Sequence, residues 1–379
     1  MTPVLRSSSP ACVVIGAGIV GVAVADALAA RGAKVTVLDM RGPGRGASFA
    51  SAGILAPHVE SHHEPRFLEL ATRSLDMYDA FVADVSARSG RRVEYARTGT
   101  LEVALDPGDL GRLQNAQPRL HAAGIAHRWL SPEELRSFEP SVSGAALGGL
   151  LIEPHGFAGV SSLITALVQS ARISGASFEA PVEVTEVNPR DDSVEVRAGP
   201  SRYAADAVVI AAGTWSGRVR IRNEVGLDVR PVRGQLLHLN WTAGHLPGRV
   251  VWGPRCYTVP WSDRSLLVGA TVEDAGFDER STISAIQELT TAANELLPEA
   301  RTASLQDVRV GLRPASADEL PIIGPLPSSP RVVVATGHYR NGVLLAPITA
   351  AIVRDYLLDN VRDRAIEWTR PDRFTTSRS

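Results

Sequence analysis

The 379-residue sequence predicts an α/β fold of two or three domains, or of two interleaved ones. Three observations predict it. A buried-strand run, Cys12-Val13-Val14-Ile15, leads at once into Gly16-Ala17-Gly18-Ile19-Val20-Gly21, a helical stretch and a second apolar strand ending on Asp39. Between residues 229 and 312 the chain reads as short strands broken by Pro and Gly. A late run, residues 332–342, is again strand plus glycine turn and feeds a helix over about 343–358.

The first stretch has the parts of a dinucleotide site. Gly16 permits a tight turn, Gly18 lets backbone approach a pyrophosphate, and Gly21 lets the helix lie close to the strand. The pyrophosphate would meet unpaired N–H groups at the positive end of that helix. The helix sets Val20, Val24, Ala27 and Leu28 on one face, runs to about Arg31 and stops at Gly32. Asp39 can accept both ribose hydroxyls, and its charge argues against a 2′-phosphate and so against NADP. Gly, Ser and Ala then dominate residues 41–54, as backbone packed on an extended, rigid ligand would, which favours FAD. Phe49, Ile54 and Leu55 are too apolar for a solvated linker. Residues 207–216 form another buried strand with a glycine turn, yet no second GxGxxG follows. One dinucleotide is therefore expected, with electrons drawn from the substrate and not from NAD(P)H.

Composition removes other classes. Lys plus Arg number 39 and Asp plus Glu 41, a net charge of −2 with no basic stripe, so no nucleic-acid partner is expected. Cys12 and Cys256 form no CxxC or metal spacing and suit a reducing cytoplasm. The first ten residues lack an apolar core of a signal peptide, and the apolar run 19–30 holds Asp26 and is too short for a bilayer. A cytoplasmic protein without a membrane partner is expected. His58, His62 and His63 stand near Glu60 and Glu64, but no regular element makes three of them converge, and no metal is expected.

The remaining elements follow in order. Phe67, Leu68, Ala71, Leu75, Tyr78, Phe81, Val82 and Val85 recur at helical spacing as a long core-facing helix. Residues 99–105 alternate like a strand, a helix covers 109–123, and Ser131-Pro-Glu-Glu134 is an N-cap with its capping box, opening a short helix ended by Pro140. This part carries no nucleotide signal and belongs to a second domain. Residues 159–174 form a helix, and 182–187 with 194–197 a meander. Strands are expected at 229–239, 250–252, 257–260, 266–270 and 305–312, with a helix at 281–297 closed by Pro298. The polar tail 370–379 is expected to fray.

Six stretches carry a resemblance over nearly the whole chain. They are the Gly16–Asp39 fingerprint, Ser51-Ala-Gly-Ile-Leu, Arg255-Cys-Tyr-Thr-Val-Pro260, Leu266-Leu-Val-Gly-Ala-Thr271, Gly311-Leu-Arg-Pro314 and Gly337-His-Tyr-Arg-Asn-Gly-Val-Leu-Leu-Ala-Pro347. In these the chain resembles the FAD-dependent amine and amino-acid oxidases of the D-amino-acid oxidase superfamily, most closely the bacterial glycine oxidases of thiamine biosynthesis. The resemblance implies a Rossmann-like FAD-binding domain, 1–83, 146–225 and 318–379, interleaved with an antiparallel-sheet substrate domain, 84–145 and 226–317. It implies non-covalent FAD, a small amino-acid or amine substrate, molecular oxygen and a homotetramer. The reaction implied is oxidative deamination of glycine, with hydride passing from Cα to flavin N5 to give an imine and hydrogen peroxide.

It also implies roles. Arg313 and Tyr257 would bind the substrate carboxylate, with Arg340 and Ile54 beside it. FAD would follow Gly16, Gly18, Ile19, Val20 and Gly21, then Asp39 and Met40. It would continue along Ala47, Ser48, Ala52, Gly53 and Ile54, past Val182 and Gly213. The backbone of His338, Tyr339, Arg340, Asn341, Gly342, Val343 and Leu344 would flank the ring. The residue types agree: a guanidinium grips a carboxylate with two parallel hydrogen bonds. Two positions depart from the family pattern, Ile54 for a methionine and Arg309 for a tryptophan, and both are expected to alter the pocket wall. The rival readings are a sarcosine or D-amino-acid oxidase, a quinone-linked dehydrogenase, a non-catalytic FAD-binding scaffold and an NAD dehydrogenase.

Overall fold

The structure is a computed structural model that describes residues 5, 9–60, 64–224, 226–242 and 244–377. Along the chain the two main sheets and their helices are β1 (Ala11–Ile15), α1 (Ile19–Ala29), β2 (Lys34–Leu38), α2 (Pro65–Ser89), β3 (Thr100–Ala104) and α3 (Pro107–Ala122). Next come β4 (His127–Leu130), α4 (Pro132–Phe138), β5 (Gly148–Ile152), α5 (Val160–Ile173), β6 (Ser177–Glu179) and β7 (Ala207–Ile210). The second half adds β8 (Val229–Asn240), β9 (Val250–Trp252), β10 (Tyr257–Pro260), β11 (Ser265–Gly269) and α6 (Ile283–Leu296). The last are β12 (Ser304–Ser316), β13 (Ile322–Leu326), β14 (Ser329–Thr336) and α7 (Ala346–Arg354).

A six-stranded sheet takes the order β13-β14-β7-β1-β2-β6. Its β14-β7-β1-β2-β6 pairs are parallel and only β13 runs against its neighbour. Such strands are buried on both faces and read as unbroken apolar runs, which is how β1 and β7 appear in the sequence. Helix α1 shows almost no polar face because it is enclosed: ten of its residues, Asp26 included, are buried. Asp26 is held by a forked pair of hydrogen bonds from Arg88 at the end of α2, at 2.7 and 2.6 Å. Helix α2 is capped by Glu64, which accepts from the Arg66 N–H, and ends at Gly90 in the left-handed region.

The second sheet has eight strands in the order β12-β8-β11-β10-β9-β3-β5-β4. All its pairs are antiparallel except β9 with β3. Helix α4 opens with the expected capping box, Ser131 Oγ accepting from the Glu134 N–H and Glu134 accepting from the Ser131 N–H. Smaller sheets join Ile54–Leu55, Gly156–Ala158 and Tyr95–Ala96, and Ser201–Ala205, Val194–Ala198, Glu186–Pro189 and Arg220–Ile221.

Several expectations shift. Strand β5 was expected in the cofactor-binding piece that starts at 146, but it pairs with β3 and β4 in the eight-stranded sheet. The meander begins at Glu186, not at Val182, because the Val182 N–H donates to the Asp39 carbonyl at 2.8 Å and holds 182–185 along a cavity. Helix α7 starts at Ala346, after a turn in which the Leu345 N–H donates to the Asn341 carbonyl. Of the tail expected to fray, Pro371–Ser377 is a 3-10 helix, pinned where Arg373 binds Asp318 at 2.8 and 2.9 Å, and 378 and 379 lie outside the described residues. His62, His63 and residues 1–4 and 6–8 lie outside the described residues. Among the described residues no helix is long and apolar enough to cross a membrane, and no group of three metal-ligating side chains occurs.

Candidate active site

A cavity of about 640 Å³ is walled by both main sheets. At one end lies the turn after β1. Gly16 has φ +103°, and a Cβ there would overlap the backbone of Ala211 and Ala212. Gly21 packs on the Gly16 carbonyl, so it closes the helix onto the turn and does not reach the wall. Gly18 faces the cavity, and a Cβ would meet only Ser48 Oγ, at 3.4 Å. Ser48 in turn accepts from the Ile19 N–H at 2.9 Å, which ties the small-residue stretch 47–54 to the helix start. Asp39 stands on the wall and holds its surroundings together. One oxygen accepts from the Ala17 N–H and the other from the N–H groups of Arg41 and Gly42, each at 2.7 Å. A carboxylate has about four lone-pair sites, so with three taken acceptor capacity remains for a ligand hydroxyl.

The late glycine turn forms another part of the wall. The Tyr339 N–H donates to the Pro314 carbonyl at 2.9 Å, zipping this loop to the end of β12. From α2, Ser74 Oγ donates to the Leu344 carbonyl and Tyr78 Oη to the Val343 carbonyl, at 2.6 and 2.5 Å. The N–H groups of Gly342 and Val343, both on the wall, donate to no acceptor among the described residues. That leaves donors aimed at an electron-rich ligand edge at the approach to α7. Asn341 and Leu344 are not on the wall; Asn341 supports the turn through its carbonyl and Leu344 is core. His338 is fully buried, hydrogen-bonded to Thr349 Oγ1 at 3.0 Å, and burial pushes its pKa down to about 3. It stands in the loop as a neutral ring.

The end of the cavity at Arg313 and Tyr257 is built by strand register. Across the eight-stranded sheet, paired residues form one row on one face: Arg309, Leu236, Gly269, Tyr257, Trp252 and Glu102. Two glycines shape this face. A Cβ on Gly269 of β11 would fall on the Tyr257 ring and hydroxyl, and one on Gly234 of β8 would fall on the Arg313 guanidinium. Strands β8 and β11 are neighbours, so Arg313 reaches inward from β12 across Gly234, and Tyr257 reaches inward from β10 across Gly269. The two polar tips converge over β8 and β11, near the β12 edge of the sheet. Arg313 Nη1 donates to the Thr271 carbonyl at 2.9 Å. Its Nε and Nη2 donate to no protein acceptor among the described residues, which leaves a fork for a carboxylate.

Met40, Ala47, Ala52, Gly53, Ile54, Val182, Val20 and Gly213 also reach the wall. Arg340 is exposed on it, stacked over its neighbour Tyr339 at 5.5 Å. Arg309 does not reach it, contrary to expectation: its guanidinium lies over Phe49 and 2.9 Å from His238 Nδ1. Gly311, next along the strand, packs on Ala47 and Ala50 and fills the space between. The sequence reading missed Trp252, Glu102, Arg112, Arg255 and Trp215, which all line the cavity. The alternation of residues 99–105 gave a strand, but nothing local says which face of it meets a cavity.

The profile of the FAD dependent oxidoreductase family matches residues 11–356. The chain belongs to this family. A glycine oxidase of Bacillus licheniformis is 31% identical over 364 residues, 95% of this chain and 96% of that one. A bifunctional protein ThiO/ThiG of Synechocystis is 33% identical over 371 residues, 96% of this chain and 54% of that longer protein. The crystal structure of a glycine oxidase from Geobacillus kaustophilus superposes with a TM-score of 0.91 at 28% identity, covering 97% of this chain and 99% of that one. FAD is thus the cofactor of this amino-acid oxidase, and the wall fits it: a glycine turn open to a pyrophosphate, an acid at the end of β2, and free N–H groups at the approach to α7. Bound there, FAD supplies the two-electron acceptor.

Proposed function

We propose that this protein oxidises glycine, and amines or amino acids close to it in size, to the imine, with molecular oxygen accepting the electrons and leaving as hydrogen peroxide. The observation that carries the reading is the convergence of Arg313 and Tyr257 over Gly234 and Gly269. The guanidinium takes the substrate carboxylate with two N–H donors, and the tyrosine hydroxyl donates a third hydrogen bond. Their fixed tips orient Cα toward the cofactor side of the cavity, formed by stretch 47–54 and loop 337–343. Arg340, at the edge, adds positive potential. With the amine bound neutral, no protein base is needed. The names of the relatives support glycine, and the pairing of ThiO with ThiG in one of them supports supply of the imine to thiamine biosynthesis. Two buried, unpaired cysteines, Cys12 and Cys256, support a cytoplasmic site of action.

The test is the visible spectrum of the holoenzyme as glycine is added without oxygen. Flavin bands that bleach with glycine and return with air are expected. Bands that ignore glycine but bleach with sarcosine, D-alanine or D-proline would move the substrate. Bands that persist under every amine would refute the oxidase reading.

A further inference from the structure

The cavity extends past Trp252. On this side its wall carries Glu102, Asp109, Arg112 and Arg255, none of which the proposed function uses. Glu102 is 3% exposed, a carboxylate taken out of water in the middle of strand β3. Burial raises its pKa, and a hydrogen bond from Arg112 opposes the rise. Burying a charge costs free energy that a solvent-facing residue would avoid, so an acid on an inward strand position invites a reason.

Its position is fixed by register. Glu102 pairs with Trp252, and Trp252 pairs with Tyr257, so the acid lies two strands from the tyrosine on the same face, about 10 Å at the usual strand spacing. The Trp252 ring stands between them, with its centroid 5.1 Å from that of Tyr257. Glu102 Oε2 accepts from Arg112 at 2.9 Å, and no second hydrogen bond reaches the carboxylate from the described residues. Arg112 itself is 45% exposed and reaches in from the first turns of α3. Arg255 is matched by Glu295. An aromatic wall that ends in a buried carboxylate is the chemistry that holds a methylene chain tipped with an ammonium group.

We propose that Glu102 and Trp252 form a distal subsite for a protonated amine, so that the cavity takes ω-amino carboxylates and amino acids with cationic side chains as well as glycine. The carboxylate sits at Arg313 and Tyr257, the methylenes lie on Trp252, and the ammonium donates to Glu102 Oε1. The inference rests on the carboxylate anchor of the proposed function, and it makes glycine a small ligand that leaves this branch to water.

The experiment is calorimetric titration of the FAD-loaded protein with 6-aminohexanoate and with hexanoate, which are not α-amines and give binding without turnover. The wild type is expected to bind the amino compound about tenfold tighter or more, as a hydrogen bond between two charges allows. Glu102→Gln should bring the ratio toward one. Arg112→Gln, which frees Oε2, should raise it, whereas a purely structural Glu102–Arg112 pair would make both variants lose affinity for both ligands alike. A wild-type ratio near one, a ratio that survives Glu102→Gln, or no measurable binding of either ligand would overturn the subsite. Failure of the glycine reading looks different: glycine leaves the flavin oxidised while the ratio stands.

Discussion

Adding one methyl group at Gly234 is expected to disable substrate binding without harming the fold. Gly234 sits within β8 opposite Gly311, and its backbone does not occupy the left-handed region, so alanine fits the strand conformation. Alanine in a strand interior is favoured over glycine by roughly 0.5–1 kcal/mol. The new Cβ, however, falls on the Arg313 guanidinium, which must leave the Thr271 carbonyl and its place above the sheet. Losing a close charged pair between guanidinium and carboxylate costs about 2–5 kcal/mol, or at least about thirtyfold in affinity. Gly234→Ala should therefore cut kcat/KM for glycine by about thirtyfold or more through KM, with FAD content and urea midpoint unchanged or slightly improved. Arg313→Ala should do the same, and the double variant should be no worse than the worse single one, because both remove one interaction. Steady-state oxygen uptake on the three variants checks this. Wild-type kcat/KM in Gly234→Ala, or losses that multiply in the double variant, would refute the claim that the glycine exists to seat the arginine.

Three further outcomes follow from the same geometry. Tyr78→Phe removes the side-chain donor to the buried Val343 carbonyl and should lower stability by about 1–3 kcal/mol with weaker FAD retention, read by urea titration and flavin fluorescence. His338 is held neutral down to about pH 3, against about 6.5 in an unfolded chain, so between these values the unfolded state binds the extra proton. Its contribution is fully present above pH 6.5 and is lost as pH falls toward 3; His338→Gln should flatten the fall of the urea midpoint across that window. Glu279→Gln breaks the Arg41 fork at 2.9 and 2.7 Å that ties the loop after β2 to the one after β11, but both side chains are about a third exposed. The cost should be about 0.2–1 kcal/mol at low salt and should vanish in 1 M salt, by thermal unfolding at both ionic strengths.

Features set by nearby residues were legible. The turn at Gly16, the helix stop at Gly32, the capping box at Ser131 and the strand expected at 305–312 each depend on a few adjacent side chains, and the structure shows each, the last running on through Arg313 to Ser316. The misses are of two kinds. Strand β5, Gly148–Ile152, has two glycines and no alternation because both its faces are buried, so it carried no periodic signal. Helix α7 opens late because Ser74 and Tyr78, from a helix far away in sequence, take the carbonyls of 343 and 344. Asp39 was read as a ribose acceptor alone, and its three backbone partners appear only once the turn at Arg41 and Gly42 is folded against Ala17.

The proposed substrate site shows why motif reading stops short of mechanism. Arg313 and Tyr257 were each visible in a short motif, but a motif cannot say that they meet. Their meeting depends on Gly234 and Gly269, which lie on the two strands between them and would read in isolation as weak points in a sheet. With any larger residue there, the same arginine and tyrosine would be pushed off the face, and both motifs would survive without a binding site. The converse holds for Arg309. It occupies the same row as Tyr257 and looked like part of the wall, yet Gly311 lets the 47–50 backbone press against β12, and Arg309 is left stacked on Phe49 outside it. Which side chains face the cavity is decided here by the glycines between them, and strand register is the information that places those glycines.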